Sequence, residues 1–580
     1  MRVRWLGRVP YREAWALQRA ISRRSDADYL LLLEHPHVYT LGSFGDPSHV
    51  LVDTATVGAD LVRVDRGGDV TYHGPGQLVG YPVVSVGRGP QCGPEHVHRV
   101  EQVVIDALVA LGCSADDVGR LPEFPGVWVG LSGRPRGSGD AEPRKICAIG
   151  VRTSRGRTTH GFALNVDPDL SMFGHIVPCG IADRPVTSLA AEGIEVSMHQ
   201  VAEAVIAASE STWGPVTDYQ AVTDGAADGR AAAAVGSVPH TVPDARLVPA
   251  LAPVPVAFGR SADGQRPLDR RLRRAGVDPS GGLPLTERKP PWLRVPARMG
   301  DDYLGLQHRL RDLELVTVCE EAGCPNIYEC WSDGTATFMI NGSRCTRACG
   351  FCQVDTRHPL PLDAGEPDRV AEAVARMGLA HAVITCVARD DLPDGGAGAF
   401  AATIAAVRDR CPSTAVEVLI SDCKGDEHAL STVFDARPDV LNHNIETVAR
   451  LQRAVRPSAG YARSLAVLGR AAAAGLTTKS GVILGMGERK EEVVATLADL
   501  RSVGVDIVTI GQYLRPSAHH LPVARWWTPD EFEALRQAGM AMGFSHVQAS
   551  PLTRSSYHAR EAASSAITAG TDDVVTTAIT

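Results

Sequence analysis

The chain has 580 residues, with 58 Lys and Arg against 67 Asp and Glu, for a net charge of −9. That length exceeds what one core holds, so more than one domain is expected. The acidic balance without a basic run argues against a nucleic-acid partner. No apolar stretch reaches the length of a membrane span.

Short apolar runs over 29–33, 61–64, 78–86, 126–129, 145–152 and 160–166 read as strands, with 78–86 alternating. Val97, Val100, Val104, Leu108 and Leu111 recur at helical spacing, which predicts an amphipathic helix over 95–111. Ser197 is placed to cap a second helix over 198–211. Between these elements lies a glycine-rich loop, Arg66-Gly67-Gly68-Asp69-Val70-Thr71-Tyr72-His73-Gly74-Pro75-Gly76-Gln77. Glycine lets backbone run close to a ligand, although many plain turns are equally rich in it. His73 reads either as a loop residue or as a substrate contact. Residues 130–144 read as a polar loop insertion. Cys179 sits in Pro178-Cys179-Gly180; a free cysteine is usually a small buried apolar residue, but this loop setting marks a reactive one.

Further pieces accompany these: Leu33-Glu34-His35-Pro36, Tyr39-Thr40-Leu41-Gly42, Lys145-Ile146-Cys147-Ala148-Ile149-Gly150, His160-Gly161-Phe162-Ala163-Leu164-Asn165 and Val186-Thr187-Ser188-Leu189. Together they resemble the lipoyl(octanoyl) transferase family. The resemblance implies an α+β domain of the biotin/lipoate-ligase type over 1–218. It implies transfer of an octanoyl group from acyl carrier protein to a lysine of lipoyl domains, those of 2-oxoacid dehydrogenase E2 subunits and the glycine cleavage H protein. Cys179 matches the nucleophile and Lys145 its partner. A nearby ammonium lowers a thiol's pKa and can shuttle the acceptor amine's proton. Arg66 to His73, Ala148, Ile149, Gly150, Gly161, Phe162 and Ala163 are the expected substrate-binding residues. An ATP-dependent lipoate ligase of the same fold is the alternative. It would need a nucleotide site and no acyl-cysteine.

Residues 219–269 turn Ala-, Pro- and Gly-rich with little periodicity, as in a flexible linker. Beyond it, six cysteines form two groups. Cys319, Cys324 and Cys330 are spaced C-x4-C-x5-C, and Cys345, Cys349 and Cys352 are spaced C-x3-C-x2-C. A four-iron cluster takes about one thiolate per iron, so three leave one iron open to a small molecule. A zinc site would want a second C-x2-C, and disulfides suit small secreted chains rather than a long one without a signal peptide. Cys92, Cys113, Cys147, Cys386, Cys411 and Cys423 lack such context and read as structural.

Strand-like runs over 335–341, 382–388, 415–422, 440–446, 477–484 and 507–513 alternate with helical patterns over 368–377, 399–410, 461–474 and 490–503. Repeated strand–helix units predict a parallel sheet and a partial TIM-type barrel. In such barrels chemistry sits at the C-terminal strand ends. Asp390, Asp394, Gly395, Asn442, Asn444, Glu446 and Lys479 are assigned there, with 390–396 and 443–446 expected to line a small-molecule site. Each could equally be a loop cap or turn residue. The tail over 563–580 is low in complexity and expected to be disordered.

The C-x3-C-x2-C run with an aromatic before its last cysteine resembles the radical S-adenosylmethionine superfamily. The paired cysteine groups, with Arg288-Lys289-Pro290-Pro291-Trp292-Leu293-Arg294-Val295 and the terminal Arg554-Ser555-Ser556-Tyr557, resemble lipoyl synthase over 270–562. Ala549-Ser550-Pro551-Leu552-Thr553 departs from the family's usual Ser-Gly-Pro and is expected to alter a local turn. The resemblance implies a (β/α)6 partial barrel and two [4Fe-4S] clusters. Cys345, Cys349 and Cys352 would carry the one that binds S-adenosyl-L-methionine. Cys319, Cys324 and Cys330 would carry the sulfur source, with Ser556, or less favourably Ser555, as fourth ligand. It also implies an electron donor such as ferredoxin or flavodoxin and a reducing, cytoplasmic setting. The two halves would then catalyse consecutive steps of protein lipoylation. Another sulfur-inserting radical enzyme, such as one resembling biotin synthase, is the alternative for the second half.

Overall fold

A computed structural model describes residues 1–133, 142–178, 184–222, 266–294, 326–332 and 334–566. Cys179, Cys319, Cys324, most of the 219–269 segment, the tail from 567 and the middle of the 130–144 insertion lie outside the described residues. The chain divides into two compact units, Met1–Asp224 and Gly225–Thr580.

The first unit is α+β. Its main sheet runs β11-β1-β2-β6-β10-β9-β8-β7, built from β1 (Arg2–Arg8), β2 (Tyr29–Glu34), β6 (Gln77–Val83), β7 (Val118–Leu121), β8 (Phe124–Val129), β9 (Arg144–Ser154), β10 (Arg157–Asn165) and β11 (Asp218–Ala221). β11, β1 and β2 pair in parallel; the rest pair antiparallel. A second sheet places β3 (Val38–Leu41) between β4 (Asp60–Arg63) and β5 (Val70–His73).

Helices Cys92–Ala110 and Met198–Trp213 pack on the main sheet through Val100, Val104, Leu108, Val201 and Val205 against Leu30, Leu78, Ile146 and Leu164. Ser197 caps the second helix as predicted, accepting from Gln200 N while Gln200 Oε1 accepts from Ser197 N. Helix Tyr11–Arg24, which the apolar spacing did not single out, contacts β6 and β10. β6 is therefore buried at every position rather than alternating. The glycine-rich stretch is only partly a loop, since Val70–His73 is a buried strand paired with β3.

The second unit holds seven parallel strands in chain order: β12 (Thr335–Ile340), β13 (His381–Cys386), β14 (Ala415–Leu419), β15 (Val440–Asn442), β16 (Thr478–Leu484), β17 (Ile507–Gln512) and β18 (His546–Ala549). Helices Glu366–Met377, Ala397–Arg410, Glu427–Asp435, Tyr461–Ala473, Lys490–Ser502 and Pro529–Ala541 lie between successive strands. This is a partial (β/α) barrel. The six expected strands are present, and β18 extends the sheet by a seventh, whose sequence HVQA holds one β-branched residue and does not read as a run. Among the described residues no helix is long and apolar enough to cross a membrane.

Period-two alternation sends Ala382, Ile384, Val416, Val418 and Leu441 toward the helices. His381, Glu417 and Asn442 fall on the other face, joined there by Lys479. Lys479 Nζ donates to Glu417 Oε1 at 2.9 Å and Oε2 at 3.2 Å; Asn442 Nδ2 donates to Oε1 at 3.2 Å, and His381 Nε2 lies 3.4 Å from Oε2. Burial alone would raise the Glu417 carboxyl, but Lys479 and His381 hold it down to about 2. This corrects one expectation: Lys479 is the second residue of β16, at its N-terminal end. It neutralises Glu417 in the interior instead of standing at the barrel mouth.

Removing one member of such a pair strands the other's charge. Lys479→Met should destabilise this unit by about 3–5 kcal/mol, and adding Glu417→Leu should recover much of that loss. Urea unfolding of the three proteins checks it; a double variant as unstable as the single one would contradict the pairing.

Candidate functional site

In the first unit Lys145 lies near the start of β9, only 8% exposed, with Nζ 4.8 Å from the Trp128 ring centroid. Gly126, at φ +130°, lies beside it; a Cβ there would fall 2.6 Å from the Cys147 carbonyl oxygen. The main chain of Lys145 is bonded on both sides to the segment that follows Cys179. Its N–H donates to Pro185 O and its carbonyl accepts from Thr187 N, each at 2.9 Å. On the other flank, Val177 N donates to His49 O at 2.8 Å and Ile176 bridges Val50. Both flanks of the stretch that carries Cys179 are thus anchored, one of them on Lys145 itself.

The expected substrate-binding residues come together. Gly67 N donates to Val151 O at 3.0 Å, and a Cβ on Gly150 would meet Gly67 O and Arg66 Cδ at 3.1 Å. Across the β9–β10 ladder, Gly150 faces Gly161, Ile149 faces Phe162 and Ala148 faces Ala163. Arg66 is buried and gives Nη2 to Thr40 O at 2.6 Å and Thr40 Oγ1 at 2.8 Å, which fixes the loop from beneath. Gly68 is half of a close approach: a Cβ on Gly42 would fall 2.3 Å from its carbonyl oxygen. Asp69 accepts from Asp46 N at 3.0 Å and pairs with His49.

Val70, Thr71, Tyr72 and His73 are buried in β5. His73, expected as a contact, is engaged at both ring nitrogens, with Gln77 Oε1 at 2.8 Å and Thr40 Oγ1 at 3.4 Å. Burial, then the neighbouring His35, keeps its pKa well below the ordinary histidine value. Both ring nitrogens face partners within the unit. Gln77 Nε2 donates to Asn165 Oδ1 at 2.9 Å, and Asn165 Nδ2 to Thr187 O at 2.9 Å, so the chain of contacts ends on the segment beside Lys145. The sequence reading missed the aromatic and imidazole cluster around it. Tyr11 stacks on His73 and lies 3.2 Å from His160 Nδ1; His160 Nε2 meets Asp65 Oδ1 at 2.8 Å, and His35 bridges Val9 O and Tyr81. These positions are far apart in sequence and share no spacing signal.

In the second unit the loop with Cys345, Cys349 and Cys352 follows β12. Arg347 N and Ala388 N point at Cys345 Sγ from 3.4 and 3.3 Å. Gly350 N donates to Val455 O and its carbonyl accepts from Leu521 N, each at 2.8 Å; His520 Nε2 reaches Cys352 O at 3.0 Å. Arg347, between the first two cysteines, is a buried clamp. It donates to both Asp390 oxygens at 2.8 Å and to Asp422 Oδ1 at 2.6 Å. Burial disfavours the charged guanidinium, but these two carboxylates carry its pKa well above the usual value.

Burial raises the free thiols of Cys349 and, to about 12, Cys352, each further raised by its neighbouring cysteines. A metal held by these thiols would displace their protons. Among the described residues no three ligating side chains are drawn to metal-binding spacing. The donor set still fits an iron–sulfur group: three adjacent half-buried thiols in one loop, with backbone N–H groups aimed at one sulfur.

At the same end of the sheet, past β15, Asn444 Oδ1 and Glu446 Oε2 are buried without a hydrogen-bond partner. Glu446 holds φ +67°, and burial raises its carboxyl despite Arg456. Unspent acceptors at strained backbone are what a polar ligand site leaves open. His443 instead turns to Ile420 O and Ser464 Oγ, both at 3.0 Å. In the other stretch Asp390 serves Arg347, and Asp394 caps helix Ala397–Arg410 through Gly396 N and Gly398 N, both at 2.9 Å.

Of the upstream cysteines, Cys330 is described, in the short helix Ile327–Ser332. That helix docks on the terminal motif. Asn326 Nδ2 donates to Leu552 O at 2.7 Å, Tyr557 OH reaches Glu329 Oε2 at 3.1 Å, and His558 Nε2 lies 3.3 Å from Glu329 Oε1. A cavity of about 600 Å³ opens there, lined by Glu329, Cys330, Thr335, His558 and Glu561 among others. Ser555 and Ser556 are half-buried in the same turn. Where the family's usual residues are replaced, Thr553 closes the turn, its hydroxyl 2.9 Å from Ser550 Oγ.

The model for the lipoyl protein ligase A/B catalytic domain matches residues 10–210. The radical SAM superfamily model matches 339–500, and the model for the N-terminal domain of lipoyl synthase matches 281–324. A lipoyl synthase of Rubrobacter xylanophilus is 59% identical over 275 residues, 47% of this chain and 86% of that protein. One of Mycobacterium ulcerans is 54% identical over 309 residues, 53% of this chain and 94% of its own length. Among solved structures, the bipartite lipoate protein ligase of Thermoplasma acidophilum is 22% identical, spans 38% of this chain and 87% of its own, and has a TM-score of 0.32. The chain belongs to the lipoyl synthase family and carries, ahead of that region, a lipoyl protein ligase A/B catalytic domain, which makes it a fused enzyme of protein lipoylation.

Proposed function

We propose that the first unit is an octanoyltransferase acting through Cys179, and that the second inserts two sulfurs into the octanoyl chain it has attached. The observation that carries the first part is the anchoring of the segment after Cys179 on both sides of the Lys145 main chain. Cys179 accepts the octanoyl group from octanoyl-acyl carrier protein as a thioester. Lys145 takes the thiol's proton and passes it to the departing carrier thiol; it then takes the proton of the incoming lipoyl-domain lysine as the amide forms and returns it to Cys179. The Arg66–Gly68 loop, with Ala148, Ile149, Gly150, Gly161, Phe162 and Ala163, walls the acyl chain, small residues leaving the width it needs. The lipoyl domains are those of 2-oxoacid dehydrogenase E2 subunits and the glycine cleavage H protein.

In the second unit, the docking of the Cys330 helix on the Arg554–His558 turn supports one metal group on Cys319, Cys324, Cys330 and Ser556. Cys345, Cys349 and Cys352 hold the other, giving two [4Fe-4S] clusters, and Asn444 and Glu446 bind polar groups of S-adenosylmethionine. When bound, these groups supply a carbon radical for hydrogen abstraction and the sulfur that replaces the hydrogen, power that no side chain has. The protein's part is to fix the loop, through Arg347, and to exclude water. Electrons come from a ferredoxin or flavodoxin, which places the chain in the reducing cytoplasm.

Cys179→Ala should abolish the octanoyl adduct and transfer, while a pre-octanoylated lipoyl domain is still converted. Lys145→Ala should slow thioester formation. An adduct in Cys179→Ala by intact-mass spectrometry contradicts the assignment.

The cysteine groups separate by variant. Cys345→Ala should lose S-adenosylmethionine cleavage; Cys330→Ala should retain part of it and make no lipoyl product. Chromatographic measurement of 5′-deoxyadenosine with mass analysis of the acceptor distinguishes them, and equal cleavage by both variants would overturn the roles.

A further inference from the structure

Helix Arg266–Arg274 has the sequence RPLDRRLRR, five arginines in nine residues of a chain whose net charge is −9. Leu268 and Leu272 are buried, while Arg270, Arg273 and Arg274 are exposed. The helix packs on the short helix Gln452–Val455, which adds exposed Arg453. Its single carboxylate, Asp269, is half-buried and feels Arg273 and Arg515.

This basic face stands directly over the C-x3-C-x2-C loop. A Cβ on Gly350 would lie 3.6 Å from Leu268 Cδ1. Gly350 N is bonded to Val455 O, at the end of the helix beneath. Arg271, half-buried, is close enough to Cys349 for their charges to interact. Nothing in acyl transfer or sulfur insertion requires several exposed arginines here. Electron delivery does: a carrier must approach the cysteine loop closely, and a patch of one sign steers a partner of the other.

We propose that the Arg266–Arg274 face is the docking surface for an acidic one-electron carrier protein that reduces the group held by Cys345, Cys349 and Cys352. At the contact the carrier is oxidised by one electron and the iron–sulfur group is reduced by one; no bond is made or broken there. The inference rests on the sulfur-insertion reading of this unit.

The test compares the reconstituted full chain with its Arg270→Glu/Arg273→Glu variant. 5′-Deoxyadenosine formation is followed against the concentration of an acidic flavodoxin kept reduced by its reductase, and separately with dithionite. Reversing two charges should raise the flavodoxin KM about tenfold or more at low salt and flatten its dependence on ionic strength. The dithionite rate should stay within about twofold, since a small reductant needs no docking face. An unchanged flavodoxin KM overturns the proposal. So does an equal loss with dithionite, which would make the face structural. A raised KM for octanoylated lipoyl domain under dithionite overturns it too, by assigning the face to substrate. Failure of the unsubstituted chain to cleave S-adenosylmethionine with dithionite would instead contradict the reading on which the proposal rests.

Discussion

The cysteine loop of the second unit depends on one buried ion cluster. Arg347 is the only cation inside the run Cys345–Cys352, and it is tied to Asp390 after β13 and Asp422 after β14. Asp422 is fully buried, 3.8 Å from Arg463 as well. Lys424 Nζ grips the Asp390 carbonyl at 2.6 Å, from a turn in which Cys423 and Lys424 both hold positive φ. Such backbone costs of order 1–3 kcal/mol per residue and persists only where the surroundings demand it. Here it brings the end of β14 under the loop. The planar guanidinium reads two carboxylates at once, which a lysine at this position would not do.

A comparable logic holds the first unit together, with neutral groups in place of ions. The path from His73 through Gln77 and Asn165 to Thr187 crosses the glycine-rich stretch, β6, β10 and the segment next to Lys145. Every member is buried, so each hydrogen bond must be made or its cost borne in full. The family's sequence pieces are therefore separate in the chain and continuous in space.

Much of this was legible in the sequence, for definite reasons. Cysteine spacing is local, so both groups of three stand out in the sequence. Strands β12 to β17 lie in apolar, largely β-branched runs and are legible; β18, His-Val-Gln-Ala, has only Val547 of that kind and is not. Lys479 was misplaced because a polar residue at a strand boundary looks the same at either end, and only the partner Glu417, 62 residues away, shows which end it occupies. The docking of Cys330's helix on residues 552–558 spans more than two hundred residues and leaves no mark on either segment alone. His73 was legible as special, but its buried partners were not. The basic helix straddles the boundary read at 269/270 between linker and second domain, and its apolar side, Leu268 and Leu272, is too short for periodicity to register.

In the proposed function the two units act on one lipoyl domain in succession. The measurement that tests it most directly is the intact mass of an apo lipoyl domain incubated anaerobically with the reconstituted chain and octanoyl-acyl carrier protein, without ATP. The account predicts an octanoyl adduct in the absence of S-adenosylmethionine, converted to the two-sulfur product once S-adenosylmethionine and reductant are added. An adduct that forms only with ATP and a free acid, or an octanoyl adduct that never gains sulfur, would contradict it.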